Sequence, residues 1–135
     1  MAVGVRGRVQ GRGMETWTRA EIGALGEQIA ADHLSSLGLT VLERNWRCRF
    51  GELDVIAFDP VSRVVVFVEV KARTSDRFGG VAYAVTPEKV RRLRRLAGLW
   101  LAAHPGRYAG LRLDVIGIRF GRSREPELRH LEAVG

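Results

Sequence analysis

With 135 residues, 46% of them hydrophobic and 27% charged, the chain is one domain's worth of protein, apolar enough to exclude wholesale disorder. Its longest unbroken apolar runs, such as residues 64–68, are five residues long, against about 20 for a membrane helix. The single cysteine, Cys48, excludes an internal disulfide and a multi-cysteine zinc site and fits a reducing cytoplasm, while the net charge of +7 suits a polyanionic partner.

Residues 1–17 are expected to form a flexible basic tail: the first thirteen are rich in Gly and Arg, lack the apolar core of a secretory signal and show no pattern. Met14 is an alternative start. Thr18 and Glu21 have the spacing of a capping box and predict a helix start. Ile22, Leu25, Ile29, His33 and Leu37 share its apolar face, and Gly38 is placed to end it in a left-handed conformation. Gly23 and Gly26 cost helix propensity, about 1 kcal/mol each, and so point to another element approaching closely. Residues 40–46 and 52–58 read as two strands. Residues 63–71 (RVVVFVEVK) read as a third, apolar on both faces and therefore central in a covered sheet.

A turn at residues 59–62 makes the second and third strands a hairpin. Residues 75–83 form a Gly-containing loop. Thr86, Pro87 and Glu88 are a cap, a first-turn proline and a first-turn acid, and predict a helix to about Ala103, stopped by His104-Pro105-Gly106. Residues 111–120 read as a fourth strand, and 122–135 as a C-terminal tail or short edge element. The domain, 18–121, is therefore α/β, a central mixed sheet flanked by helices in the order α-β-β-β-α-β.

Charge is unevenly spread. Residues 21–86 carry nine acidic and seven basic side chains, whereas residues 87–101 carry five basic and one acidic. An acidic centre inside a basic frame is the plan of a protein that holds a polyanion around a metal-binding site, and equally that of a solvated basic surface. The acids concentrate between Glu52 and Lys71. Strand alternation puts Glu52 and Asp54 on one face, and Phe67, Glu69 and Lys71 on one face. With the turn at 59–62, Phe58 lies opposite Arg63 and Asp54 opposite Phe67, diagonal to Glu69 and within reach of one shared cation. Glu69 and Lys71 interrupt a run that should be buried, where charges must be paired or bind metal. Oxygen ligands of this kind suit Mg²⁺ or Mn²⁺, with Lys71 serving the attacking water or the developing charge. An ordinary ion-pair ladder is the competing reading.

Gly26-Glu27, Gly51-Glu52-Leu53-Asp54, Phe67-Val68-Glu69-Val70-Lys71 with Arg73, Lys89, and Arg112-Leu113-Asp114-Val115 resemble the YraN family of small bacterial proteins over residues 20–120. That family resembles the restriction-endonuclease-like PD-(D/E)XK nucleases, most closely the archaeal Holliday-junction resolvases. The resemblance implies that Asp54 is the acid of the first motif, that Glu69-Val70-Lys71 is the (D/E)XK motif and that Glu27 is the helix-borne acid. Leu53 stands where the motif's proline would be. It implies metal-dependent cleavage of a DNA phosphodiester, with Glu27, Asp54 and Glu69 holding metal.

Glu52 is a candidate supporting acid or alternative ligand. Lys89 projects with the apolar side of its helix, positioned either to reach the scissile phosphate or to cover apolar carbons. Arg91, Arg92 and Arg95 fall on the opposite side of that helix, and with Arg94 they would grip phosphates. Arg73 and Arg77 flank the Gly79-Gly80 loop and could clamp a backbone. Asp114 reads as structural, pairing an arginine, and His33 as a core histidine. Trp17, Trp46 and Trp100 read as packing, and Cys48 as inert. The expected function is a Mg²⁺- or Mn²⁺-dependent endonuclease for branched or structured DNA, RNA being left open. The alternative is a nucleic-acid-binding protein that does not cut. A symmetric junction substrate would suit a homodimer, and no membrane partner is expected.

Overall fold

A capping box opens the first helix, α1 (Arg19–Ser36). Glu21 N–H donates to Thr18 Oγ1 at 3.1 Å and Thr18 N–H donates to Glu21 Oε1 at 2.9 Å, satisfying two donors that lack helical partners. Gly38, at φ +90°, turns the chain out of the helix. In the computed structural model, residues 16–74, 85–121 and 125–135 are described. Residues 1–15 of the expected N-terminal tail and the whole expected loop 75–83, Arg77 included, lie outside those residues.

Five strands and a second helix follow α1: β1 (Thr40–Cys48), β2 (Gly51–Phe58), β3 (Val64–Arg73), α2 (Pro87–Ala103), β4 (Gly110–Arg119) and β5 (Glu127–Leu131). They form one sheet in the order β1-β2-β3-β4-β5. β1, β2 and β3 form an antiparallel meander, β3 and β4 run parallel with α2 as the crossover, and β5 closes antiparallel on β4. The sheet is thus mixed and α/β, as expected, and consistent with a restriction-endonuclease-like fold. The residues after the fourth strand supply the short edge strand β5.

β3 is the central strand because both its faces are apolar. Val66 and Val68 pack with Ile29 and Leu34 of α1 on one side, while Val65 and Phe67 pack with Leu93, Leu96 and Trp100 of α2 on the other. Trp100 meets Phe67 edge-on, with centroids 5.7 Å apart, and stacks on His104 at 4.2 Å. Trp46 also packs against this second cluster, so both tryptophans are packing residues.

Three expectations are corrected here. The β2–β3 register is displaced by two residues: Phe58 faces Val65 and Ile56 faces Phe67. The cause is the turn, in which Asp59 N–H donates to the Val64 carbonyl, Arg63 N–H donates to the Asp59 carbonyl, and Arg63 adopts φ +65°. An even displacement keeps the paired residues 55–58 and 65–68 on their expected faces, but beyond them the alternation of β2 breaks, and Leu53 packs with Ile56 on the α2 side while Val55 packs on the α1 side. Of the two α1 glycines, only Gly26 is closely approached: a Cβ there would stand 2.6 Å from Ala72 Cβ, whereas nothing lies within 4 Å of one at Gly23. Leu37 is 52% exposed because the helix has already ended, and the buried face is completed by Ala30 and Leu34.

Candidate active site

The β2–β3 ladder ends at Val55 opposite Val68. Asp54 and Glu69 are the next positions on the two strands beyond this last pair, and both line one cleft. Asp54 replaces the missing ladder bond with its side chain: Val70 N–H donates to Asp54 Oδ2 at 2.8 Å. Where the strands cease pairing, a cleft of about 490 Å³ opens, lined by Asp54, Glu69, Lys71, Lys89 and Arg92, with Phe50, Gly51, Glu52 and Val70 at its sides.

Glu69 is buried, and burying a carboxylate requires compensating charge. Two residues of α2 provide it. Arg92 Nη2 donates to Glu69 Oε1 at 3.0 Å, and Lys89 Nζ lies 3.6 Å from Oε2. α2 starts where it does because Thr86 Oγ1 accepts the Lys89 N–H at 3.1 Å and Pro87 occupies the first turn. The cap therefore fixes Lys89 itself over the sheet. Arg92 is thus corrected from the outward face of the helix to the cleft. The spacing of three from Lys89 carried that signal, since i and i+3 are neighbours on a helix.

Asp54 has no such compensation. Burial, foremost, pushes its carboxyl up to about 6, helped by the negative charges of Glu27, Glu69 and Glu52 and opposed by the Val70 hydrogen bond. Lys71, on the same strand face as Glu69, is held below the ordinary lysine range chiefly by its close contact with Lys89, then by burial. The cleft thus pairs a carboxyl that resists ionising with an amine that resists protonation. Perturbations of this kind mark functional clefts more often than plain ion-pair surfaces.

The remaining expected residues are placed less centrally. Glu27, next to the tight Gly26–Ala72 contact, acts on Asp54 through charge but does not line the cleft. Glu52 is exposed and pairs with Arg47 Nε at 3.0 Å. Arg73 sits at the end of β3, beside Arg119 of β4. Arg91 is exposed on α2, Arg94 donates to the Gly135 carbonyl, and Arg95 stacks over the Phe50 ring at 4.1 Å. Among the described residues, no group of three His, Cys, Asp or Glu side chains is gathered as a ready ligand set for a metal.

The donor chemistry nevertheless fits a hard cation. Asp54 and Glu69 are two oxygen donors side by side, and the charges acting most strongly on Asp54 are other carboxylates. Mg²⁺ commonly takes one or two protein carboxylates and completes its shell with water and substrate phosphate. A preassembled third ligand is not needed in that mode.

On the opposite face of the sheet, Asp114 is fully buried and completely satisfied. Arg112 donates to both its oxygens at 2.9 Å, His130 Nε2 lies 2.7 Å from Oδ2, and Ala133 N–H donates to Oδ1 at 3.0 Å. Burial alone would raise its carboxyl, but these three partners outweigh it and hold it below the usual carboxylate value. His33 of α1 continues the chain, with Nε2 3.1 Å from His130 Nδ1. The cluster ties β4, β5 and α1 together. It is structural, as expected for Asp114, and gives the core histidine His33 its partner.

Residues 26–118 match the uncharacterised protein family UPF0102. A UPF0102 protein of Mycobacterium sp. (strain KMS) is 70% identical over 121 residues, covering 90% of each chain. Those of Mycobacterium ulcerans and Mycolicibacterium smegmatis are 64% and 63% identical, covering 90% and 91% of this chain and 100% and 99% of theirs. The chain belongs to the UPF0102, or YraN, family.

Proposed function

We propose that the cleft hydrolyses phosphodiester bonds of DNA with the help of Mg²⁺ or Mn²⁺, acting on branched or otherwise structured DNA in the cytoplasm. The observation that carries this reading is the convergence of Asp54, Glu69, Lys71 and Lys89, from three separate elements, in one cleft. Asp54 and Glu69 would hold the cation, with Glu27 supplying further negative charge from α1. Such a cation polarises a phosphoryl oxygen and makes water more acidic. Lys71, with its lowered proton affinity, orients the attacking water or takes its proton. Lys89 and Arg92 place positive charge where the pentacoordinate phosphate gains negative charge. Arg73, Arg91, Arg94 and Arg95 lie outward of the cleft and would hold the phosphate backbone. A homodimer would let two such clefts cut two strands of a symmetric substrate.

One observation favours a second reading, nucleic-acid binding without cleavage. Glu69 is already gripped by Arg92 and Lys89, so those cations must turn to phosphate before both carboxylate oxygens are free.

Incubating a labelled four-way junction and a linear duplex with wild type, Asp54→Asn and Lys71→Ala, with and without Mn²⁺, tests the proposal. The expected result is metal-dependent cleavage by wild type, reduced about 100-fold or more in each variant. Equal cleavage by all three proteins identifies a contaminant and ends the enzyme reading. Salt-dependent binding without cleavage selects the second reading, because phosphate contacts release counterions.

A further inference from the structure

We infer that Phe50, flanked by Arg49 and Arg95, is a stacking platform for an unpaired nucleobase beside the scissile phosphate, and so a determinant of substrate choice. The inference rests on the nucleic-acid reading of the cleft. Phe50 is 41% exposed although it lines the same cleft as Asp54 and Glu69. The part of the ring left open to solvent faces the cleft residues rather than an apolar core, and an aromatic side chain in such a cleft is available to a ligand that enters it. Two guanidinium groups lie against it: the central carbon of Arg49 is 4.8 Å from the ring centroid and that of Arg95 is 4.1 Å. An aromatic face set among arginines is the chemistry that receives a base together with its phosphate.

The platform is held in place. Cys48 pairs with Gly51 across a two-residue turn, so Arg49 and Phe50 form the tip of the β1–β2 hairpin. Gly51 adopts φ +142°, and a Cβ there would lie 3.4 Å from Leu96 of α2. The tip is therefore seated against α2, with Arg95 one residue from that contact. Duplex DNA keeps its bases stacked within the helix, and only an unpaired nucleotide offers a free face to the ring. The site would thus favour junctions, flaps or bulges over continuous duplex.

The test uses metal-free, full-length protein, a 20-base-pair duplex, and the same duplex carrying a three-nucleotide bulge, with 2-aminopurine at the paired or bulged position. Wild type is expected to bind the bulged DNA more tightly and to change its 2-aminopurine fluorescence through stacking. Phe50→Ala should lower the ratio of bulged to duplex affinity about tenfold, and Phe50→Trp should retain it. An unchanged ratio in Phe50→Ala, or no change of 2-aminopurine fluorescence in bulged DNA bound by wild type, overturns the inference and leaves the nuclease reading standing. The wild-type fluorescence decides even if Phe50→Ala fails to fold. If Phe50→Ala instead dissociates a dimer without altering the ratio, the ring is a protein contact and the inference fails. Wild type that binds neither DNA overturns both readings together.

Discussion

Replacing Asp54 by Asn should make the metal-free protein more stable, although it removes a residue central to the proposed site. The Asp54 carboxyl ordinarily titrates near 3.8 and is pushed up to about 6 in the fold. That gap is about two pH units, each worth about 1.4 kcal/mol, so ionised Asp54 costs up to about 3 kcal/mol. Because the folded value is the higher one, the unfolded chain holds fewer protons between about pH 4 and 6. Stability therefore falls as pH rises through that window, then levels off. Asparagine keeps an oxygen to accept the Val70 N–H but never ionises. For a domain of this size, 1 kcal/mol corresponds to roughly 3–4 °C in Tm, so Asp54→Asn should melt up to about 9–12 °C above wild type near pH 8. The gain should shrink toward zero by about pH 4. Differential scanning calorimetry in EDTA across that range measures it. A gain independent of pH, or a lower Tm near pH 8, would refute the account of Asp54 as a half-buried carboxylate without a cationic partner. Adding Mn²⁺ should raise the Tm of wild type and leave Asp54→Asn unmoved.

Urea denaturation should separate the two glycines of α1. Gly26→Ala must push α1 off Ala72 and should cost about 1–3 kcal/mol, while Gly23→Ala, with open space around it, should gain about 0.5–1 kcal/mol. Asp114→Ala should cost about 3–5 kcal/mol, because it strips Arg112, His130 and the Ala133 N–H of their shared buried acceptor and leaves Arg112 only the exposed Glu132. In wild type the Asp114 contribution is present above the ordinary carboxyl value and lost as pH falls through its lowered folded value. Lys89→Met should return Lys71 toward ordinary lysine basicity, since Lys89 is the main cause of its shift. Slower acylation of the Lys71 amine near pH 8, read by peptide mass spectrometry, is the expected sign, and an unchanged rate would show that Lys89 is not what lowers it.

Both helices were legible from their caps. Thr18 with Glu21, and Thr86 with Pro87, are local chemistry, and local chemistry survives without knowledge of the fold. The alternation of Val64–Val70 told which residues share a face, because a period of two has only two outcomes, but not which helix covers which face. The hairpin register was not legible. It depends on Arg63 entering a left-handed conformation, which a non-glycine side chain does not advertise. Asp54 and Glu69 nevertheless line one cleft. Arg92 was read outward because the helix was judged by its apolar stripe, while the buried charge of Glu69 draws a cation from the edge of that stripe. Phe50 carried no signal at all: one aromatic in a turn becomes conspicuous only once its exposure and its neighbours are known.

The sheet has an uneven seam. β3 pairs with β4 along its whole length, from Val64 to Arg73, but with β2 only from Val65 to Val68. The βαβ unit of β3, α2 and β4 is thus one cohesive piece, and it carries Glu69, Lys71, Lys89 and Arg92. The β1–β2 hairpin is another, and it brings Asp54 and Phe50. Neither piece alone holds both carboxylates, so the cleft comes into being only when the hairpin docks. A chain in which the βαβ unit has formed before the hairpin docks would carry the cations without the second acid. Formation of the Val70–Asp54 hydrogen bond then becomes a clock for the last step of assembly: protection of the Val70 amide from exchange should appear together with docking of the hairpin, not with closure of the parallel pair.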